Sequence, residues 1–374
     1  MTGPILIGSE IYRGSTYGGK HPLAIPRVST TLDLIAALGW RDPARYRDSP
    51  MAPVADLLRF HTPAYIAALQ DAERTQSVPD AIRARHRIGA DGNPLYREMF
   101  RRPATGAGAA LLAAAITRDG GVVHAPGVGT HHGRPDRASG FCYLNDCVLG
   151  LLAWLDQGLT RVLYVDIDAH HGDGVQDAFH ADSRVFTLSV HEAGRWPATG
   201  AEDDDAGGHA ANLPVPEGFH DAEFAVLLQD AILPIADAVR PQAIMLQCGS
   251  DALAEDPLSR LALTNAAHRA AVAALRPLAP RLIVTGGGGY NPWAVARCWA
   301  GLWAVLDGRM IPDRLRPDAE AVLRALAWQR AAGRTPPPHW LTSLADPAPA
   351  AQPVRPEVIA MARRVAARAR ATLR

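Results

Sequence analysis

The sequence predicts an α/β fold built on a parallel β-sheet with helices covering both faces. Two observations carry this. Short, uniformly apolar runs alternate with longer stretches whose apolar residues recur at helical spacing. Each apolar run also ends in a cluster of Gly, Asp or His, the place where a parallel sheet gathers its ligands. With 374 residues, 48% hydrophobic and 20% charged, the composition is globular and large enough for one α/β domain or two.

Along the chain, the predicted strands are "GVVHAPG" (121–127), "RVLYVDIDAHHG" (161–172), "RVFTLSVH" (184–191), "AIMLQCGSD" (243–251) and "RLIVTGGGGY" (281–290). Their polar ends are expected to bring five loops to one site. Between them, "FCYLNDCVLGLLAWLDQG" (141–158) and "DAEFAVLLQDAILPIADAV" (221–239) carry helical periodicity. The first third is more helical, with "PRVSTTLDLIAALGW" (26–40) and "RPATGAGAALLAAAITRDG" (102–120) the clearest candidates. Beyond about Arg309 the composition shifts to Pro, Ala and Arg. The expected division is a main domain over 1–308 and an extension over 309–374 packed on it. The last segment (356–374) puts Ile359, Ala362, Ala366, Ala369 and Leu373 on one helical face and five arginines elsewhere. It reads as a docked surface helix in preference to a basic recognition arm.

The formal net charge of zero gives no bias toward nucleic acid or an anionic membrane, and no apolar stretch is long enough to span a bilayer. The first fourteen residues lack the basic and apolar regions of a signal peptide. Four cysteines without a C-x-x-C pair fit reduced thiols. Together these features lead us to expect a cytoplasmic protein, with homo-oligomerisation left open.

The stretch from Asp166 to Asp173 packs three aspartates and two histidines into eight positions, and no Lys or Arg stands between Arg161 and Arg184. On an extended strand Asp166, Asp168 and His170 would share a face. Buried carboxylates without counter-ions cost several kcal/mol each, a penalty that a divalent cation removes. Asp168 and His170 offer a carboxylate oxygen and an imidazole nitrogen, both good zinc ligands. Asp251, at another strand end, is the candidate third ligand, with a helix N-cap as its alternative role. The adjacent His131 and His132 suit acid–base work, each needing a carboxylate, and Asp166 and Asp173 are available. Four glycines before Tyr290 allow close backbone approach and suggest a phenol delivered to an oxyanion. Without a following G-K-[ST], a phosphate loop is excluded.

The motifs "HPLAIPR" (21–27), "LRFHTPAYIAAL" (58–69), "THHGRPDRASGFCYLND" (130–146), "VDIDAHHGDGVQDAF" (165–179), "GSDALAEDPLSRLALT" (249–264) and "GGGGYNPWAVARCW" (286–299) resemble the zinc-dependent histone deacetylase family. That family includes bacterial acetoin-utilisation-type deacetylases and acetylpolyamine amidohydrolases. The resemblance implies an arginase/deacetylase fold with a central, mostly parallel eight-stranded sheet, and makes residues 1–308 the deacetylase domain. It implies Zn2+ on Asp168, His170 and Asp251, with iron(II) also compatible with those ligands. His131 and His132 become a tandem pair bonded to Asp166 and Asp173, and Tyr290 a hydroxyl donor to the transition state. Gly140, Phe141, Trp196 and Gly288 would line the substrate channel, with Arg27 at an internal acetate cavity. Asp166, Asp168, His170, Ser189 and Val190 match a structural K+ site. The implied reaction is hydrolysis of an N-acyl amide, with acyl-lysine peptides, acyl-lysine proteins or acylpolyamines as substrate partners.

Three positions depart from the family pattern. "HEAGRWPATG" (191–200) is shorter than the family's loop and offers Trp196 as the wall opposite Phe141. The rim aspartate falls at Gly92, next to Asp91. "AEDDDAGGHAAN" (201–212) inserts an acidic patch expected beside the channel mouth, where it could attract cationic substrates. Acyl-lysine hydrolysis leads, acylpolyamine hydrolysis is the alternative, and a non-catalytic binding module or a two-metal ureohydrolase ranks lower.

Overall fold

The computed structural model describes residues 3 to 373. One sheet of eight strands organises them: β1 (Ile5–Gly8), β2 (Tyr46–Asp48), β3 (Gly121–Ala125), β4 (Val162–Asp166), β5 (Val185–Glu192), β6 (Ala210–Val215), β7 (Ala243–Gln247) and β8 (Arg281–Thr285). The strand order is β2-β1-β3-β8-β7-β4-β5-β6. Every pairing in it is parallel, where the sequence led us to expect a mostly parallel sheet.

Strand alternation explains why these runs are apolar throughout. Leu163 and Val165 of β4, Ile244 and Leu246 of β7, and Leu282 and Val284 of β8 enter one buried cluster. Their neighbours Val162, Tyr164, Ala243, Met245 and Ile283 enter the other, on the opposite face. The three strands that the sequence pattern did not reveal are short or lie at the edges, and β2, "YRD", is partly exposed along its length.

The helix Arg101–Ile116 is rich in Ala and Gly because it packs closely. A Cβ on Gly108 would lie 1.9 Å from the Pro50 carbonyl oxygen, and one on Gly150 would crowd Met245 and Ala110. The stretch 141–158 becomes helical only over Asp146–Asp156, where the Asn145 side chain accepts from Val148 N and sets the N-terminus. The helical stretch at 221–239 is divided by a π turn, Leu228–Ile232, between Asp221–Leu227 and Leu233–Val239.

The extension packs on the sheet's helical layer. Trp340 stacks on Trp293 at 5.4 Å, and the fully buried Arg297 donates to the Ser343 and Ala345 carbonyls. The helix Pro356–Thr372 buries Val358, Met361, Ala362, Val365, Ala366 and Ala369. The buried face is therefore rotated slightly from the predicted one: Val358, Met361 and Val365 join Ala362, Ala366 and Ala369 in the interior, and Ile359 is only half-buried.

The helix's arginines face acids. Arg355 forms a two-pronged pair with Glu223, whose carboxylate is fully buried, and Arg364 pairs with both Glu202 oxygens. Arg368 donates to the Glu202 carbonyl. The acidic segment 201–212 thus docks this helix. None of its residues lines the channel described below.

Two outcomes follow from this packing. Arg355→Met leaves Glu223 buried without its counter-ion, and urea unfolding should show a loss of ~2–3 kcal/mol, allowing for partial exposure of the guanidinium. Arg364→Ala, at an exposed pair, should leave the unfolding midpoint unchanged.

A third outcome concerns the buried His61. Its Nδ1 donates to the Arg134 carbonyl (3.0 Å) and its Nε2 accepts from Asn145 N (3.1 Å), which requires a neutral ring. Burial pushes its pKa down to about 4 from the usual 6.5. The unfolded chain therefore takes up this proton first. The stability tied to His61 is complete above about pH 6.5 and is lost as pH falls toward about 4, at up to ~1.4 kcal/mol per unit. Urea titrations at pH 7 and pH 5 should show this decline, and His61→Gln should flatten it.

Candidate active site

Five neighbouring strands, β3, β8, β7, β4 and β5, deliver their C-terminal loops to one place. After β4 the chain does not remain extended. Asp168 N donates to Asp166 Oδ1 (3.1 Å) and His170 N to Asp168 Oδ1 (3.0 Å), so two consecutive aspartate turns replace the predicted strand. This sends Asp166 toward the histidine pair and Asp168 toward Asp251.

Asp168, His170 and Asp251 converge with one donor atom each inside a 4.8 Å group. His170 Nδ1 lies 2.9 Å from Asp251 Oδ2 and 3.2 Å from Asp168 Oδ1. Glycines make the space: a Cβ on Gly249 would lie 1.9 Å from Asp168 Oδ2, and one on Gly288 2.0 Å from Asp251 Oδ2. Gly288 N, expected on the substrate side, donates to Asp168 Oδ2 (2.7 Å) and also borders a small inner cavity. Burial and the facing Asp168 carboxylate push the Asp251 pKa up. Two buried acids against one imidazole carry excess negative charge, and donors about 3 Å apart match the spacing around one ion with bonds of roughly 2.0–2.2 Å. The residues fit a divalent metal ion.

The tandem histidines sit directly beside this triad, their ring centroids 3.9 Å apart. His131 Nδ1 is 2.7 Å from Asp166 Oδ2, and His132 Nδ1 is 2.6 Å from Asp173 Oδ1. Burial alone would lower the His131 pKa, but Asp166 and Asp168 raise it to about 9. His132, buried and next to the His131 charge, is pushed down to about 3 despite Asp173. The pair is therefore asymmetric: the surrounding acids favour a proton on His131 over one on His132.

Asp173 has a partner that the local sequence did not reveal. Arg134, from the histidine loop, pairs with both Asp173 and Asp177, so the segment's missing positive charge is supplied from a different element. Burial opposes ionisation of Asp173, yet His132 and Arg134 hold its pKa at about 2.

Above the triad lies a channel of about 640 Å³. Phe141 and Trp196 line it, with His132, His170 and Tyr290 deeper in. Phe141 sits at φ +68°, a conformation that favours glycine; Asn93 accepts its N–H and the Tyr17 hydroxyl donates to its carbonyl. Gly140 must be glycine, since a Cβ would lie 2.4 Å from the Trp196 ring and 2.6 Å from His132. Trp196 is half-exposed and stands edge-on to His132 at 4.7 Å. Burial raises the Tyr290 pKa well above its usual value, keeping the phenol protonated as a donor. Arg27, partly buried, packs against Trp299 and donates to the Gly287 carbonyl (2.6 Å), bordering the inner cavity with His131 and Tyr17. Ser189 is the register partner of Asp166, with Val190 next on β5.

Sequence reasoning missed several supports. Gln247 Nε2 donates to Asp168 Oδ2 (3.0 Å), and Asp146 accepts from Gly129 N and Thr130 N to fix the histidine loop. Asp256, pushed up to about 8 by burial and by Asp251, accepts from Tyr290 N. Asp146 and Asp256 lay inside the quoted motifs, but nothing local distinguishes a backbone-holding carboxylate from a solvated one.

Comparison with known proteins agrees with this geometry. Residues 21–306 match the model of the histone deacetylase domain. Histone deacetylase 9 of Arabidopsis thaliana is 36% identical over 81% of this chain and 73% of its own length. A relative from Caenorhabditis elegans is 37% identical over 80% of this chain, which spans only 60% of that protein. The crystal structure of an HDAC homologue from Aquifex aeolicus superposes with a TM-score of 0.92 at 35% identity, covering 97% of this chain and 100% of that one. An HDAC homologue complexed with SAHA gives a TM-score of 0.90 at 34% identity, with the same coverage of both chains. Fold, buried triad and sequence relationship meet in one conclusion: the chain belongs to the histone deacetylase family.

Proposed function

We propose that the protein hydrolyses N-acyl amides, removing the acyl group from acyl-lysine in peptides or proteins with the help of a divalent ion, zinc in the first instance, held by Asp168, His170 and Asp251. The observation that carries this reading is the convergence of that triad with two carboxylate-held histidines at the floor of one channel. The bound ion would polarise the amide carbonyl and acidify a water. His132, neutral and oriented by Asp173, takes the proton from the attacking water and returns it to the leaving amine. His131 keeps positive charge beside the developing oxyanion, and the Tyr290 hydroxyl donates to it. Phe141 and Trp196 flank the apolar stem of the acyl-lysine, and Arg27 receives the released carboxylate in the inner cavity. The complex of a homologue with SAHA supports a ligand-binding channel of this kind. A structural K+ near Asp166, Asp168, His170, Ser189 and Val190 belongs to the same reading.

Activity on acetyl-lysine peptides should vanish with a chelator and return with zinc; full turnover by metal-stripped protein would overturn the proposal. His132→Ala should lower kcat by about 10²–10⁴-fold. Tyr290→Phe should lower kcat by about 10²–10³-fold while peptide binding, read by fluorescence anisotropy, persists.

A further inference from the structure

We infer that the channel mouth selects acyl-lysine flanked by acidic residues and discriminates against polyamines; this rests on the deacylase reading and names its substrate class. Three guanidinium groups line the channel, those of Arg87, Arg137 and Arg195, against a single carboxylate, Asp91. Asp91 is already engaged, its Oδ2 lying 2.6 Å from Arg87 Nη1. The acids that pair with the other two arginines, Asp136 and Glu192, are not part of the channel wall. Glu192 is buried and also accepts from Arg260 N, so it is turned to the protein interior. Asp91 and Asp136 are about as exposed as the arginines they pair with and reduce the field, whereas Glu192 is buried behind Arg195, so on the channel wall itself guanidinium groups outnumber carboxylates three to one.

Of the acidic run that the sequence offered for attracting cations, Glu202 is taken up by Arg364 and Arg368 of the terminal helix, and no carboxylate of the run lines the channel. A polyamine entering the channel thus finds no free carboxylate for its second ammonium group. A glutamate or aspartate two or three residues from the acyl-lysine finds planar donors suited to bidentate pairing. Arg137 and Arg87 are about half exposed, so this preference is screened by salt.

The test compares kcat/KM for one acetyl-lysine peptide with Glu, Ala or Lys at the flanking positions, together with N-acetylputrescine, at low and high ionic strength. The expected order is Glu, then Ala, then Lys, with roughly 5-fold or more between the extremes at low salt, narrowing at 0.5 M salt, and with N-acetylputrescine last. Arg137→Gln and Arg87→Gln should each lower the Glu-to-Lys ratio, and the double change should bring it near one. Anisotropy of labelled peptides on Tyr290→Phe should give the same order of affinity. Equal or better turnover of the Lys-flanked peptide or of N-acetylputrescine overturns this inference while leaving the deacylase reading intact. No turnover of any amide overturns both.

Discussion

Asp166, Asp168, Asp173 and Asp251 have been removed from water, and compensating their charge is the constraint on which the centre of the molecule depends. Each solves it differently. Asp166 takes an imidazolium and a tyrosine hydroxyl, with Tyr164 OH at 2.6 Å. Asp173 takes a neutral imidazole and a guanidinium. Asp168 and Asp251 share a single histidine and are left in deficit. A buried deficit of that kind is costly unless a cation fills it, and that cost is the physical reason for reading the triad as a candidate metal centre.

The same compensation explains the difference between the two histidines. Adjacent in sequence and nearly in contact, they cannot both hold a proton cheaply. The acids around His131 favour it as the protonated one, which is the basis for proposing His132 as the proton-exchanging partner. Supporting groups are placed accordingly: Asp146 fixes the loop backbone, Asn145 donates to the His131 carbonyl (3.2 Å), and Arg134 ties that loop to Asp173.

How much of this the sequence disclosed follows from the distance between partners. The strands β4, β7 and β8 were legible because burial on both faces writes an unbroken apolar run. The triad and the tandem histidines were legible because a dense cluster of Asp and His at a strand end has few structural uses. The short strands β1, β2 and β6 were not, since three to six residues, at or next to a sheet edge, leave little pattern. Long-range ion pairs were hidden altogether. Arg134 lies 39 residues from Asp173, and Glu202 lies 162 from Arg364, so the charge that neutralises a segment cannot be read from the segment itself. In the terminal helix the alanine stripe that periodicity picks out is buried at Ala362, Ala366 and Ala369, but Val358, Met361 and Val365 join it in place of Ile359.

The floor and the mouth of the channel obey different rules. The floor hangs on strand ends and on glycines whose Cβ positions are already occupied by carboxylate oxygens, so almost any change there breaks charge compensation. The mouth is made of loop residues held by pairwise contacts: Arg87 on Asp91, and Trp196 over Gly140. Arginine and tryptophan at those positions can change without disturbing the buried network, because none of them supplies it with a hydrogen bond. Reaction type is therefore fixed by the sheet, and choice of substrate by loops that the sheet only positions.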